Sequence, residues 1–158
     1  MKLDNNEIDA IKELLSSTKN QKNPILKTLF NKINHDSLSY TMYIDGAADL
    51  HSKTSGIGGV IYKEGKEIFT FSEYLDDSTN NEAEYSALIY GIKSLLKLSI
   101  LNAVIYSDSE LVVKQINGEY KVKNDRMKKL YSNARSLLLN FHKWSLVHVL
   151  RDKNTVAD

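Results

Sequence analysis

One change of period constrains this chain more than any other feature. Up to about residue 38 the apolar residues recur at helical spacing, and from Tyr40 they follow a strand pattern. Tyr40–Gly46 reads as a strand, followed by a loop containing Gly and Ser. Ile57–Lys63 and Glu67–Tyr74 read as strands on either side of Glu64-Gly65-Lys66, a hairpin turn. Asn80–Leu98 is the longest helical pattern. Ala103–Asp108 is a strand, and Ser109–Asn117 is a short helix stopped by Gly118. Asp125–Phe141 is a further helix and Lys143–Leu150 a last strand. Three β-runs followed by helix, strand, helices and strand imply an α/β domain: a mixed sheet with helical crossovers.

Residues 1–38 read as a separate helical extension of two short helices, and residues 39–158 as the main domain. Asp4 caps a stretch with Ile8, Ile11, Leu14 and Leu15 on one face. Asn23-Pro24 places a cap before a proline at the first helical position, ahead of Ile25, Leu26, Leu29, Phe30 and Ile33. Neither stripe is large enough for a core of its own. These stripes, Ile25, Leu29, Phe30 and Ile33 among them, are therefore expected to dock on the main domain or on a partner.

Acidic residues stand where apolar ones should. Alternation puts Thr41, Tyr43 and Asp45 on one face of the first strand, and Val104, Tyr106 and Asp108 on one face of the later strand. Both aspartates are expected to close their strands. Ligands of α/β sheets bind outside the carboxyl ends of parallel strands. If the two strands are parallel neighbours, the carboxylates converge. Glu84 shares its helix face with Leu88, Gly91, Ile92 and Leu95, so it points inward, whereas Glu82 falls with Ser86 and Lys93 on a solvated face. A carboxylate facing a core is costly without compensation. Three converging carboxylates repel one another and recruit a divalent cation.

The net charge of +1 conceals an asymmetry. Residues 36–110 carry five basic and twelve acidic groups, and residues 111–158 carry ten and four. This sets an acidic site beside a phosphate-holding surface. Tyr120-Lys121-Val122-Lys123 with Arg126, Lys128 and Lys129 is the densest basic patch. Absence of cysteine excludes a disulfide scaffold, a thiolate metal site and a cysteine nucleophile. No apolar run reaches the roughly 18 residues of a membrane span, and the N-terminus lacks a signal-peptide core. A cytoplasmic protein without membrane partners is expected.

Four motifs together resemble type 1 ribonuclease H, over about Tyr40 to Asp158. They are Tyr43-Ile44-Asp45-Gly46; Thr79-Asn80-Asn81 with Glu84; Tyr106-Ser107-Asp108-Ser109; and His148-Val149-Leu150-Arg151 with Asn154 and Ala157-Asp158. Each alone is weak, and four in order at the family's spacing are specific. The resemblance implies the ribonuclease H-like fold, a five-stranded mixed sheet flanked by helices. It implies that Asp45, Glu84, Asp108 and Asp158 are catalytic and hold two Mg²⁺ ions, with Mn²⁺ as a substitute. By the same analogy Asp45 bridges the metals, Glu84 helps place the RNA 2′-hydroxyl, and Asp108 and Asp158 complete the two spheres. The implied activity is sequence-independent endonucleolytic hydrolysis of the RNA strand of RNA/DNA hybrids by a monomer. Double-stranded RNA is left open as a second substrate. Gly46, Asn80 and Asn81 match minor-groove positions, and Lys121, Lys123, Arg126 and Arg151 are assigned to the substrate. Asn80 is also suited to cap its helix.

Three departures qualify the resemblance. The loop before Asp158 offers Arg151 and Lys153 in place of the histidine of many bacterial members, as in archaeal-like members, and His148 reads as structural. Gly118–Asn124 is too short for a basic protrusion. The helix that follows the last aspartate in the family is expected to be absent, leaving Asp158 unanchored. Other nucleases of this fold fit less well: Asp45 begins no Asp-x-Glu, and Lys143 stands where transposases place their last acid. The alternative is a non-catalytic nucleic-acid-binding module on the same fold. Retention of all four acids argues against it, because a pure binder gains nothing from negative charge near phosphates.

Overall fold

A computed structural model describes residues 3–16, 23–29 and 40–154. The chain divides into two compact units, Met1–Ser39 and Tyr40–Asp158. In the first, α1 (Asn5–Leu15) starts with a capping box. The Asp4 side chain accepts from the Glu7 N–H at 2.8 Å, and the Glu7 side chain accepts from the Asp4 N–H at 3.3 Å. Residues 24–29 are also helical, with Asn23 Oδ1 accepting from the N–H of Ile25 at 3.0 Å. Ile25 and Leu29 are exposed. Phe30 and Ile33, the rest of the stripe expected to dock, lie outside the described residues.

The second unit contains β1 (Tyr40–Asp49), β2 (Thr54–Lys63), β3 (Lys66–Leu75), α2 (Asn80–Lys97), β4 (Asn102–Ser107), α3 (Glu110–Ile116), α4 (Asp125–Leu138) and β5 (Lys143–His148), then a 3₁₀ turn at Arg151–Lys153. The strands form one sheet in the order β3-β2-β1-β4-β5. The β1–β2 and β2–β3 pairs are antiparallel, and β1–β4 and β4–β5 are parallel. This is the mixed sheet expected from the sequence. The β2–β3 turn is tighter than the three residues expected. Glu64 and Gly65 alone make it, with φ of 51° and 77°. Two successive left-handed residues match the twist of a hairpin.

The core lies on the sheet face that carries Met42, Ile44, Ile61 and Ile105, under Leu88, Ile92 and Leu95 of α2 and Ala134 and Leu138 of α4. On the opposite face Tyr43 and Tyr106 stack across β1 and β4, with ring centroids 4.9 Å apart. The alternation therefore sorted the two faces of β1 correctly. Its end was misread, because β1 continues past Asp45 to Asp49. Ala47 to Asp49 look like loop in the sequence, but they pair with Gly56 to Thr54 of β2. Asp45 thus lies inside a strand rather than closing one.

Candidate active site

The parallel register sets Tyr43 beside Tyr106 and Ile44 beside Ser107. The next residue on each strand is an aspartate, Asp45 on β1 and Asp108 just beyond β4. Here β1 has an antiparallel neighbour on one side and a parallel neighbour on the other, and β4 reaches its carboxyl end. Ligands of α/β sheets bind at such a place.

The first turn of α2 adds Glu84. Thr79 caps this helix: its side chain accepts from the Glu82 N–H at 3.2 Å, and Glu82 Oε2 accepts from the Thr79 N–H at 2.8 Å. Asn80, expected as a possible cap, is instead the first helical residue. Its Oδ1 accepts from the Ala48 N–H at 2.7 Å and ties the helix to the extended end of β1. The approach is close enough to require glycine at position 46. A Cβ there would stand 2.4 Å from the carbonyl oxygen of Ala83 and 2.7 Å from the Glu84 nitrogen, where backbone cannot yield. Gly46 thus brings Glu84 to Asp45, a packing reason for a residue assigned to the substrate by resemblance.

Asp45, Glu84 and Asp108 each offer one ligand atom, and these atoms all lie within 4.8 Å of one another. Glu84 is buried, and its Oε2 has no hydrogen-bond partner among the described residues. Burial pushes its carboxyl up to about 8, and the charges of Asp108 and Asp45 add to the rise. A backbone hydrogen bond from Gly46 and the charge of Arg151 oppose it. Three converging carboxylates, one of them with a buried oxygen that lacks a partner among the described residues, form a hard, all-oxygen donor set, which fits a divalent cation such as Mg²⁺ or Mn²⁺. Asp158, the fourth expected acid, lies outside the described residues.

The loop after β5 crosses the same sheet end. The Val149 N–H donates to Ser107 O at 2.9 Å. The side chain of Asn154, fully buried, donates to Ile44 O at 3.0 Å, one residue before Asp45. Between these anchors, Arg151 Nε meets Asp108 Oδ2 at 3.3 Å. Arg151 was expected on the substrate, and here it faces a carboxylate of the cluster. His148, read as structural, is exposed at the end of β5.

Beside the cluster, a groove of about 430 Å³ is lined by Thr79, Asn81, Lys121, Lys123 and Arg126, among others. Asn81, Lys121 and Lys123 are exposed, as substrate contacts must be. Arg126 is bound within the protein, with its Nε 2.8 Å from Glu82 Oε1. Glu82, expected on a solvated face, is therefore buried. Its helical phase missed the cap and the cation, and the spacing of Thr79 to Glu82 was the signal that could have found the cap. Asn154 stood in a motif, but nothing local announced its bond to β1.

The family described as reverse transcriptase-like matches residues 43–158. The chain is 34% identical over 116 residues to the bifunctional protein Rv2228c of Mycobacterium tuberculosis, covering 72% of this chain and 32% of that protein. It thus spans about a third of the length of this relative. RNase H1 from the halophilic archaeon Halobacterium salinarum superposes with a TM-score of 0.72 and 30% identity, over 75% of this chain and 91% of that one. LC11-RNase H1, solved in complex with an RNA/DNA hybrid, gives 0.71 and 33%, over 75% and 91%. With this match running from β1 through residue 158, the chain belongs to the reverse transcriptase-like family and has the ribonuclease H fold.

Proposed function

We propose that the chain is a metal-dependent endonuclease that hydrolyses the RNA strand of RNA/DNA hybrids without regard to base sequence. The observation that carries this reading is the convergence of Asp45, Glu84 and Asp108 within 4.8 Å, from the interior of β1, the first turn of α2 and the residue just beyond β4. The hybrid bound by LC11-RNase H1 supports the choice of substrate. All three carboxylates come from one chain, which suits a monomer.

Asp45, Glu84 and Asp108 would hold Mg²⁺, with Mn²⁺ as a substitute and two ions as the working number. Asp158 is the fourth ligand in this reading. Divalent ions supply phosphodiester hydrolysis with Lewis-acid stabilisation of charge and a water of lowered pKa. The protein's own part is to place three carboxylates on rigid elements and to give up the Glu84 proton when a cation enters. Gly46 keeps Asp45 and Glu84 adjacent. Asn80 and Asn81 are assigned in this reading to the minor groove of the duplex, where shape and 2′-hydroxyls rather than bases are read. Lys121 and Lys123 meet phosphates from the groove.

The test is cleavage of an end-labelled hybrid with Mg²⁺, Mn²⁺ or EDTA, beside single-stranded RNA, RNA duplex and DNA duplex. Metal-dependent cuts in the RNA strand of the hybrid are expected. Asp108→Asn is expected to lower cleavage by at least about a hundredfold and to keep hybrid binding. Wild-type protein that binds the hybrid and never cuts it overturns the enzyme reading in favour of a binding module.

A further inference from the structure

Arg151 stands apart from the other basic residues near the site. Lys121 and Lys123 face the groove, and Arg126 is held by Glu82. Arg151 alone among these four is ion-paired with an acid of the cluster, its Nε 3.3 Å from Asp108 Oδ2. The pair is asymmetric. The Asp108 side chain is 3% exposed and the Arg151 side chain 73%. The carboxylate is enclosed in the site, whereas most of the guanidinium is open to solvent.

The anchors of the loop explain why this cation is held there. Val149 is bonded to Ser107 at the end of β4 and Asn154 to Ile44 within β1, so the 3₁₀ turn carrying Arg151 is pinned at both ends beside Asp108 and Asp45. Its positive charge also reaches Glu84, where it opposes the effect of burial. A cation so placed reduces the repulsion among three acids in a confined space.

We propose that Arg151 is a built-in counter-cation, which neutralises Asp108 in the metal-free protein and must be displaced from it when a divalent ion binds. This rests on the reading of the cluster as a metal site. A guanidinium and a divalent ion claim the same carboxylate oxygen, and their like charges repel at that range. Arg151 therefore sets the metal affinity below what the carboxylates alone would reach, and in exchange it stabilises the empty site. Once displaced, its five donors are available to a phosphate at the edge of the site.

Mn²⁺ binding by isothermal titration at pH 7, together with thermal unfolding in EDTA, tests this on the full chain. Arg151→Ala is expected to bind Mn²⁺ at least about threefold more tightly, the range that a half-exposed ion pair commands, and to unfold at a lower temperature in EDTA. Arg151→Lys, which keeps the charge, is expected to restore most of the wild-type affinity. The affinity gap between Arg151→Ala and wild type is expected to narrow as KCl is raised. A purely structural role for Arg151 predicts weaker or unchanged Mn²⁺ binding in Arg151→Ala, and that result overturns the proposal. Wild-type protein that takes up no Mn²⁺ at all would instead overturn the metal reading itself.

Discussion

Glu84 concentrates the conflict between folding and function in one side chain. Burial and two acidic neighbours raise its carboxyl from an ordinary 4.5 to about 8. A carboxyl raised on folding holds its proton in the native state over a range where the unfolded chain has lost it. Its contribution to stability is then complete below about pH 4.5 and is lost as pH rises toward 8. In EDTA, Glu84→Gln is therefore expected to raise the melting temperature relative to wild type at pH 8 and to change it little at pH 4.5. The same substitution should abolish cleavage. Denaturation scans at the two pH values check the sign. Gly46 is the other residue with no substitute. A Cβ would strike the backbone of Ala83 and Glu84. Gly46→Ala should destabilise the fold by about 2 kcal/mol or more, as overpacking of a closely packed contact does, and should lower kcat through misplacement of Glu84. Urea unfolding and single-turnover kinetics would separate the two effects. Both residues were legible in the sequence, Glu84 from its apolar helical face and Gly46 from its place beside Asp45, although the reason for the glycine was not.

The start of α2 shows what sequence reasoning reaches within a single element and where it stops. The helix, its length and its inward face follow from periodicity, because one element contains the whole signal. The position of Glu82 does not. Its partners are the Thr79 backbone and the guanidinium of Arg126 on another helix, and only the fold brings that cation near. Thr79 and Glu82 hold each other's backbone N–H groups, and Glu82 also joins α2 to α4. Thr79→Ala is expected to cost about 1 kcal/mol, the usual value of a lost cap. Glu82→Ala should cost more, since it also leaves Arg126 without this partner, and chemical denaturation of both variants gives the order. The continuation of β1 to Asp49 failed to show for the same reason, since Gly46-Ala47-Ala48-Asp49 has little strand propensity and is kept extended by pairing with β2.

At the scale of the whole unit, charge is arranged by surface rather than by element. The acids gather where the carboxyl end of β4 meets the middle of β1, and the exposed lysines gather along the adjoining groove. The sequence already carries this arrangement, because the acids are concentrated in residues 36–110 and the basic groups in residues 111–158. Hybrid binding should weaken as salt rises. Lys121→Ala with Lys123→Ala should shallow the dependence of log Kd on log salt by about one unit per lost phosphate contact, leaving kcat almost unchanged. Fluorescence anisotropy across a salt series, with Asp108→Asn as the background, measures the slope without cleavage.

The bond from Asn154 to Ile44 joins residues 110 positions apart. During synthesis that distance is also an interval. At about 5–20 residues per second, a ribosome takes seconds to pass from Asp108, the last of the three acids, to Arg151. Through that interval the nascent chain can pair β1 to β4 and bring its three acids together, but Arg151 is not yet there to set against them. The emerging site is then at its most negative and its most open to cations from solution. The completed loop then closes over acids that solution cations have reached first.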